Sequence, residues 1–157
     1  MDTVTLSSDL VIQNQSIGVA SLSQGFAGVD GILGVGPVDL TTGTLGGSSE
    51  TIPTVTDNLF SQGVISSNLV SVSYNPITNE PSTNGELIFG GTDSNAFTGD
   101  ITFTPVTSTS PASEFWGIDQ SISYGADTSL LSSTAGIVDT GTTLVLIASD
   151  AFQTYQT

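Results

Sequence analysis

The stretch AGIVDTGTTLVLIA, residues 135–148, sets an aspartate between two apolar runs. Ile137 and Val138 precede Asp139, and Leu144 through Ile147 follow it. A carboxylate beside buried surface costs several kcal/mol unless it is hydrogen-bonded or needed for chemistry. Asp-Thr-Gly-Thr-Thr therefore has two readings, a turn between apolar segments or part of a catalytic site. The tripeptide alone is weak evidence, because a plain turn is its ordinary explanation in a chain rich in Thr and Gly.

Composition restricts the chemistry. The chain has 157 residues, 37% of them apolar, which suits one soluble domain or a substantial piece of a larger one. It carries 15 Asp and Glu and no Lys, Arg or His, for a formal net charge of −15 at pH 7. No side-chain salt bridge can form within it, and every carboxylate repels every other. Crowding of this kind raises folded pKa values above unfolded ones. Stability is then expected to fall as pH rises through the carboxylate range near ~4, with acid tolerated better than alkali. Nothing can neutralise phosphate, so neither nucleic acid nor an anionic membrane is an expected partner.

Cysteine is absent, which excludes disulfides, thiol nucleophiles and thiolate metal sites. Without His, Lys or Cys, a serine lacks its usual base and Schiff-base chemistry is impossible. Carboxylates must do any acid and base work. That leaves two aspartates activating water, or two carboxylates flanking a sugar bond, with Glu86 and Glu114 as sugar-site candidates that read better as strand and loop. A non-catalytic secreted β-rich binding or association module is the reading from another class. No spaced Asp cluster resembles a calcium loop, so no metal is expected. No basic segment precedes an apolar one at the start and no 18-residue apolar run occurs, so neither signal peptide nor membrane span is expected.

Along the chain, β signals dominate. Runs rich in Val, Ile, Thr and Phe predict strands over 3–13, 69–74, 85–89, 101–106, 118–124 and 136–139. Turn-forming clusters separate them, notably TTGTLGGSSE at 41–50 and NPITNEPSTNG at 75–85. Within IPTVTDNLFSQGVI, residues 52–65, Pro53 or Thr54 can open a short helix whose apolar face is Val55, Leu59 and Phe60, with Gly63 as the stop. A second helix, capped by Ser149 or Asp150, is expected to begin near the end. The chain reads as all-β with one or two short helices, divided near GGTDSNAFTGD, residues 90–100. Asn14-Gln15-Ser16 is a candidate N-glycosylation sequon at Asn14.

Several blocks occur in one order: VDGILGVGP at 29–37, IPTVTDNLFSQGVI at 52–65, GELIFGGTD at 85–93, FTGDITFTPV at 97–106, WGIDQSISYG at 116–125 and GIVDTGTTL at 136–144. Together they resemble the pepsin-like aspartic endopeptidases, most nearly the secreted fungal members of polyporopepsin type. The resemblance implies a bilobal acid-protease fold. Residues 1–92 would be the later part of the N-terminal lobe, and residues 93–157 the interlobe strands and the start of the C-terminal lobe.

It also implies that Asp139 is the catalytic aspartate of the C-terminal lobe. Thr140, Gly141 and Thr142 would support the loop, and Gly141, Thr142, Thr143 and Ile32 would contact substrate. Polypeptides are the implied substrates, at acidic pH and outside the cell, with no cofactor. Such a molecule has a second Asp loop and a flap tyrosine, neither of which this sequence contains. It is therefore expected to open in mid-strand, just after the flap, and to be inactive alone unless the missing lobe segments are present as another chain. The retroviral alternative, a symmetric dimer, is not expected, because Ile32-Leu33-Gly34 lies more than a hundred residues before Asp139 and resembles the other lobe.

Overall fold

The computed structural model describes residues 1–76 and 83–157. Two compact units divide the chain, Met1–Asp100 and Ile101–Thr157. Strands β1 (Asp2–Ser7), β2 (Leu10–Gln15), β3 (Val70–Tyr74) and β4 (Gly85–Phe89), with helix α1 (Val55–Ser61), belong to the first. Strands β5 (Gly117–Tyr124) and β6 (Thr128–Ile137), with helix α2 (Ser149–Gln156), belong to the second. Short 3-10 turns occupy Val38–Thr41 and Ala112–Glu114. The strands pair as three antiparallel hairpins, β1 with β2, β3 with β4 and β5 with β6.

The first unit is organised by α1. Thr54 caps it: the Thr54 hydroxyl accepts from the Asp57 N–H, while the Asp57 carboxylate accepts from the Thr54 N–H at 2.9 Å. This reciprocal box satisfies two donors that a helix start would otherwise leave open. Asp57 also accepts from the Asn68 amide at 2.9 Å and the Thr54 hydroxyl at 2.8 Å. Burial pulls its pKa up, but the bonds from Asn68 and Thr54 outweigh it and hold the carboxyl below the ordinary value of 3.8. Val55 and Leu59 of α1 meet Ile12 and Ile65 in the core, with Val4, Leu6, Leu10, Val64 and Phe89 packed around them. Phe60, expected on the same face, is exposed; Thr56 is buried in its stead. Gly63, at φ 72°, ends the helix as expected.

The strand expected over 3–13 is a hairpin. Ser8 and Asp9 turn the chain, because each strand of a two-stranded ribbon finds its ladder partner in the other. Its register pairs Asp2 with Gln15 but Val4 with Ile12, so two steps on β1 oppose three on β2. The extra residue is a bulge, and Asn14 lies there at φ 55°. Turning β3 back to β4, the Asn84 amide donates to the Asn75 carbonyl at 2.7 Å. The rest of the cluster expected to turn at 75–85, residues 77–82, lies outside the described residues.

The second unit departs further from expectation. Residues 101–106 form no strand, since no strand of the described residues pairs with them and β propensity without a ladder does not make one. Conversely β6 begins at Thr128, eight residues before the expected start, because pairing with β5 recruits the polar run that alternation alone does not mark. Helix α2 begins at Ser149, with Ala148 as its cap residue, so neither expected cap stands in that position. Ala151 is buried, and Tyr155 of α2 meets Tyr124 of β5 edge to face with ring centres 5.2 Å apart.

Candidate active site

The β5–β6 hairpin delivers the Asp-Thr-Gly loop. Its last ladder pairs are Ile118 with Gly136 and Gly117 with Ile137. One residue further, the Val138 N–H donates to the Trp116 carbonyl at 2.9 Å, extending the pairing to the residue before Asp139. Two glycines make this end of the hairpin close-fitting. A Cβ on Gly117 would collide with the Ala112 carbonyl, and one on Gly136 with the Gln120 side-chain amide.

Beyond Val138 the chain folds around the Asp139 carboxylate. Oδ1 accepts from the Gly141 N–H at 2.9 Å, and Oδ2 accepts from the Thr142 hydroxyl at 2.6 Å. A Cβ on Gly141 would lie 3.3 Å from Oδ1, so glycine serves here by letting backbone approach carboxylate. The Thr142 hydroxyl first, and the Gly141 N–H second, hold the Asp139 carboxyl below its ordinary value of 3.8. Charge repulsion predicted the opposite direction, for Asp57 as for Asp139; directed hydrogen bonds prevail at both.

The apparent cost of placing a carboxylate between apolar runs disappears in the structure. Asp139 is exposed, and so are Val138, Leu144, Leu146 and Val145, the last at 91%. A single ionised carboxylate with two fixed donors is chemically equipped to accept a proton from water; activating a carbonyl as well takes a second, protonated group. Among the described residues no group of three or more Asp or Glu could hold a metal ion, and no helix is long and apolar enough to cross a membrane.

The profile of the eukaryotic aspartyl protease family matches residues 1–157. The chain belongs to that family. It is 70% identical over 156 residues to polyporopepsin of Irpex lacteus, covering 99% of this chain and 46% of that protein. It is 34% identical over 160 residues to gastricsin of Cavia porcellus, covering 98% and 37%. The crystal structure of the aspartic proteinase from Irpex lacteus matches with a TM-score of 0.94 at 71% identity, covering 98% of this chain and 45% of that one. The all-β, pepsin-like fold expected from the sequence is thereby borne out. The chain spans between about a third and just under a half of the length of these relatives.

Within this family member, Asp139, Gly141 and Thr142 come together in one hydrogen-bonded loop. Thr140 and Thr143 stand in the same loop and are exposed. Ile32 belongs to the first unit, is 71% exposed, and lines a cavity of about 690 Å³ with Ile17, Leu33, Leu40, Ile52 and Val55. Asn14 is exposed on the bulge of β2. Sequence reasoning missed the Trp116 carbonyl, which holds Val138 beside the loop, and the Gln120 side chain that lies over Gly136. Trp116-Gly117 heads the block WGIDQSISYG, but which carbonyl meets Val138 depends on the strand register.

Proposed function

We propose that this chain is part of an aspartic endopeptidase that hydrolyses peptide bonds at acidic pH, with Asp139 as one of two catalytic carboxylates. The observation that carries the reading is the paired donation of Gly141 N–H and Thr142 Oγ1 to the two oxygens of Asp139. A carboxylate kept ionised this way is suited to take a proton from the attacking water. The protonated partner carboxyl would donate to the scissile carbonyl oxygen, and the shared proton makes the titration a property of the pair. Thr140 and Gly141 form the loop that meets substrate backbone, with Thr142 bracing it and Thr143 beside it. Ile32 contributes to an apolar pocket for a substrate side chain. No metal, cofactor or covalent intermediate takes part.

The second carboxylate has to come from segments absent from these 157 residues, acting with residues 1–92 as the later N-terminal lobe and 93–157 as the start of the other. Polypeptides are the substrates, and the likeness to polyporopepsin supports action outside the cell over the vacuolar setting of the less similar probable vacuolar protease A. A second reading, association without catalysis by this chain itself, is favoured by its apolar surface: Leu144, Val145 and Leu146 are all exposed, whereas few hydrophobic side chains are buried. The test is hydrolysis of a denatured protein at about pH 3, near the carboxylate range. The chain is assayed alone and after refolding with the complementary segments of polyporopepsin. No turnover alone, turnover on complementation and its loss in Asp139→Asn are expected. Equal turnover by wild type and variant would remove Asp139 from the chemistry.

A further inference from the structure

We propose that Asn14 is the acceptor of an N-linked glycan, independently of the catalytic reading. Asn14-Gln15-Ser16 is the sole Asn-X-Ser/Thr triplet in the sequence. The structure shows how the triplet is displayed. The bulge turns both Gln13 and Asn14 outward, breaking the alternation that would otherwise send one of them inward. The residues on either side of Asn14 are tied to α1 and its lead-in. The Gln62 side chain accepts from the Gln13 N–H and donates to the Gln13 carbonyl, both at 2.9 Å. The buried Gln15 side chain accepts from Asn58 at 2.9 Å and donates to the Pro53 carbonyl at 3.3 Å. Held at both neighbours, the bulge presents Asn14 to solvent, so a bulky glycan is accommodated without opening the core around Ile12 and Leu59.

In the transfer, Nδ2 of Asn14 attacks C1 of the first sugar of a lipid-diphosphate-linked oligosaccharide. The C1–N bond forms as the C1–O bond breaks. The electron pair leaves with the lipid diphosphate, and one Nδ2 proton passes to a base of the host transferase. A purely conformational explanation for this asparagine also exists, since the left-handed φ of 55° favours Asn among non-glycine residues. The two are separable. Asn14→Gly keeps the bulge and removes the acceptor, whereas Ser16→Ala keeps the asparagine and removes the sequon.

The experiment expresses the chain behind a cleavable leader in a secreting yeast, with intact-mass analysis of secreted and retained pools before and after peptide N-glycosidase. Wild type is expected to carry hexose-rich mass that the enzyme removes, leaving Asp at position 14; Asn14→Gly and Ser16→Ala are expected at their unmodified masses. Sugar-free wild type in both pools, from cells that do glycosylate a sequon in an appended tail, overturns the proposal. Sugar that peptide N-glycosidase still removes from Ser16→Ala overturns it equally.

Discussion

Thr142 Oγ1 donates a 2.6 Å hydrogen bond to Asp139 Oδ2, three residues back along the chain, while the Gly141 N–H occupies the other oxygen. The acidity of Asp139 is thus set within its own loop. Replacing Thr142 by Val removes the larger of the two donors, and the Asp139 pKa is expected to rise toward 3.8, its ordinary value. Carboxyl ¹³C titration of wild type and Thr142→Val measures this. Coincident curves would show that the hydroxyl does not hold the proton off.

The helix start gives a second measurable pair. Thr54→Ala breaks the reciprocal cap of α1 and is expected to cost about 1 kcal/mol, within the usual range of ~0.5–2 for lost caps. Urea denaturation followed by circular dichroism reads it. A change below the precision of the midpoint would mean that α1 draws nothing from its cap.

The same box carries a pH dependence. Asp57 is held below 3.8, so its contribution to stability is complete above that value and is lost as pH falls through the folded pKa. This loss runs against the relief of charge repulsion on acidification. Asp57→Asn is expected to flatten the acid limb of the stability profile below about pH 4, the reference carboxylate range. Parallel wild-type and variant profiles in that window would contradict the assignment.

In the first unit, Leu59 is fully buried against Ile12, Val55 and Ile65. Leu59→Ala is expected to cost about 2–5 kcal/mol, a large part of the ~5–15 that ordinarily holds a domain folded. Thermal melts should show a transition that is strongly lowered or lost. A shift of a degree or two would mean that this cluster is not the core of the unit.

At Gly117 the obstacle to a side chain is backbone. Gly117→Ala drives a methyl into the Ala112 carbonyl, which cannot swing aside as a side chain can. The cost is expected to be about 1–3 kcal/mol, as for overpacking generally. Faster amide exchange at the end of the β5–β6 ladder and at Val138 would report it. Unchanged protection there would show that the turn at 112–114 yields freely.

Much of this was legible locally. The Asp-Thr-Gly loop closes through residues two and three positions away, and the cap of α1 through residues three apart, so both follow from short spacing. The missing Lys, Arg, His and Cys narrowed the chemistry to carboxylates before any geometry was known. The ordered blocks from Val29 to Leu144 identified the family and its fold class, because many weak motifs in one order are jointly specific.

Tertiary structure decided what depends on distant partners. Whether 101–106 becomes a strand, where β6 begins and why 3–13 splits into a hairpin depend on which ladder each segment finds, and intrinsic β preference does not choose a partner. The outward turn of Asn14 arises from a register mismatch between β1 and β2. The exposure of Leu144, Val145 and Leu146 likewise escaped a reading in which apolar residues are buried. An apolar run states only what would be favourable to cover; whether other chain lies against it is decided by packing at long range.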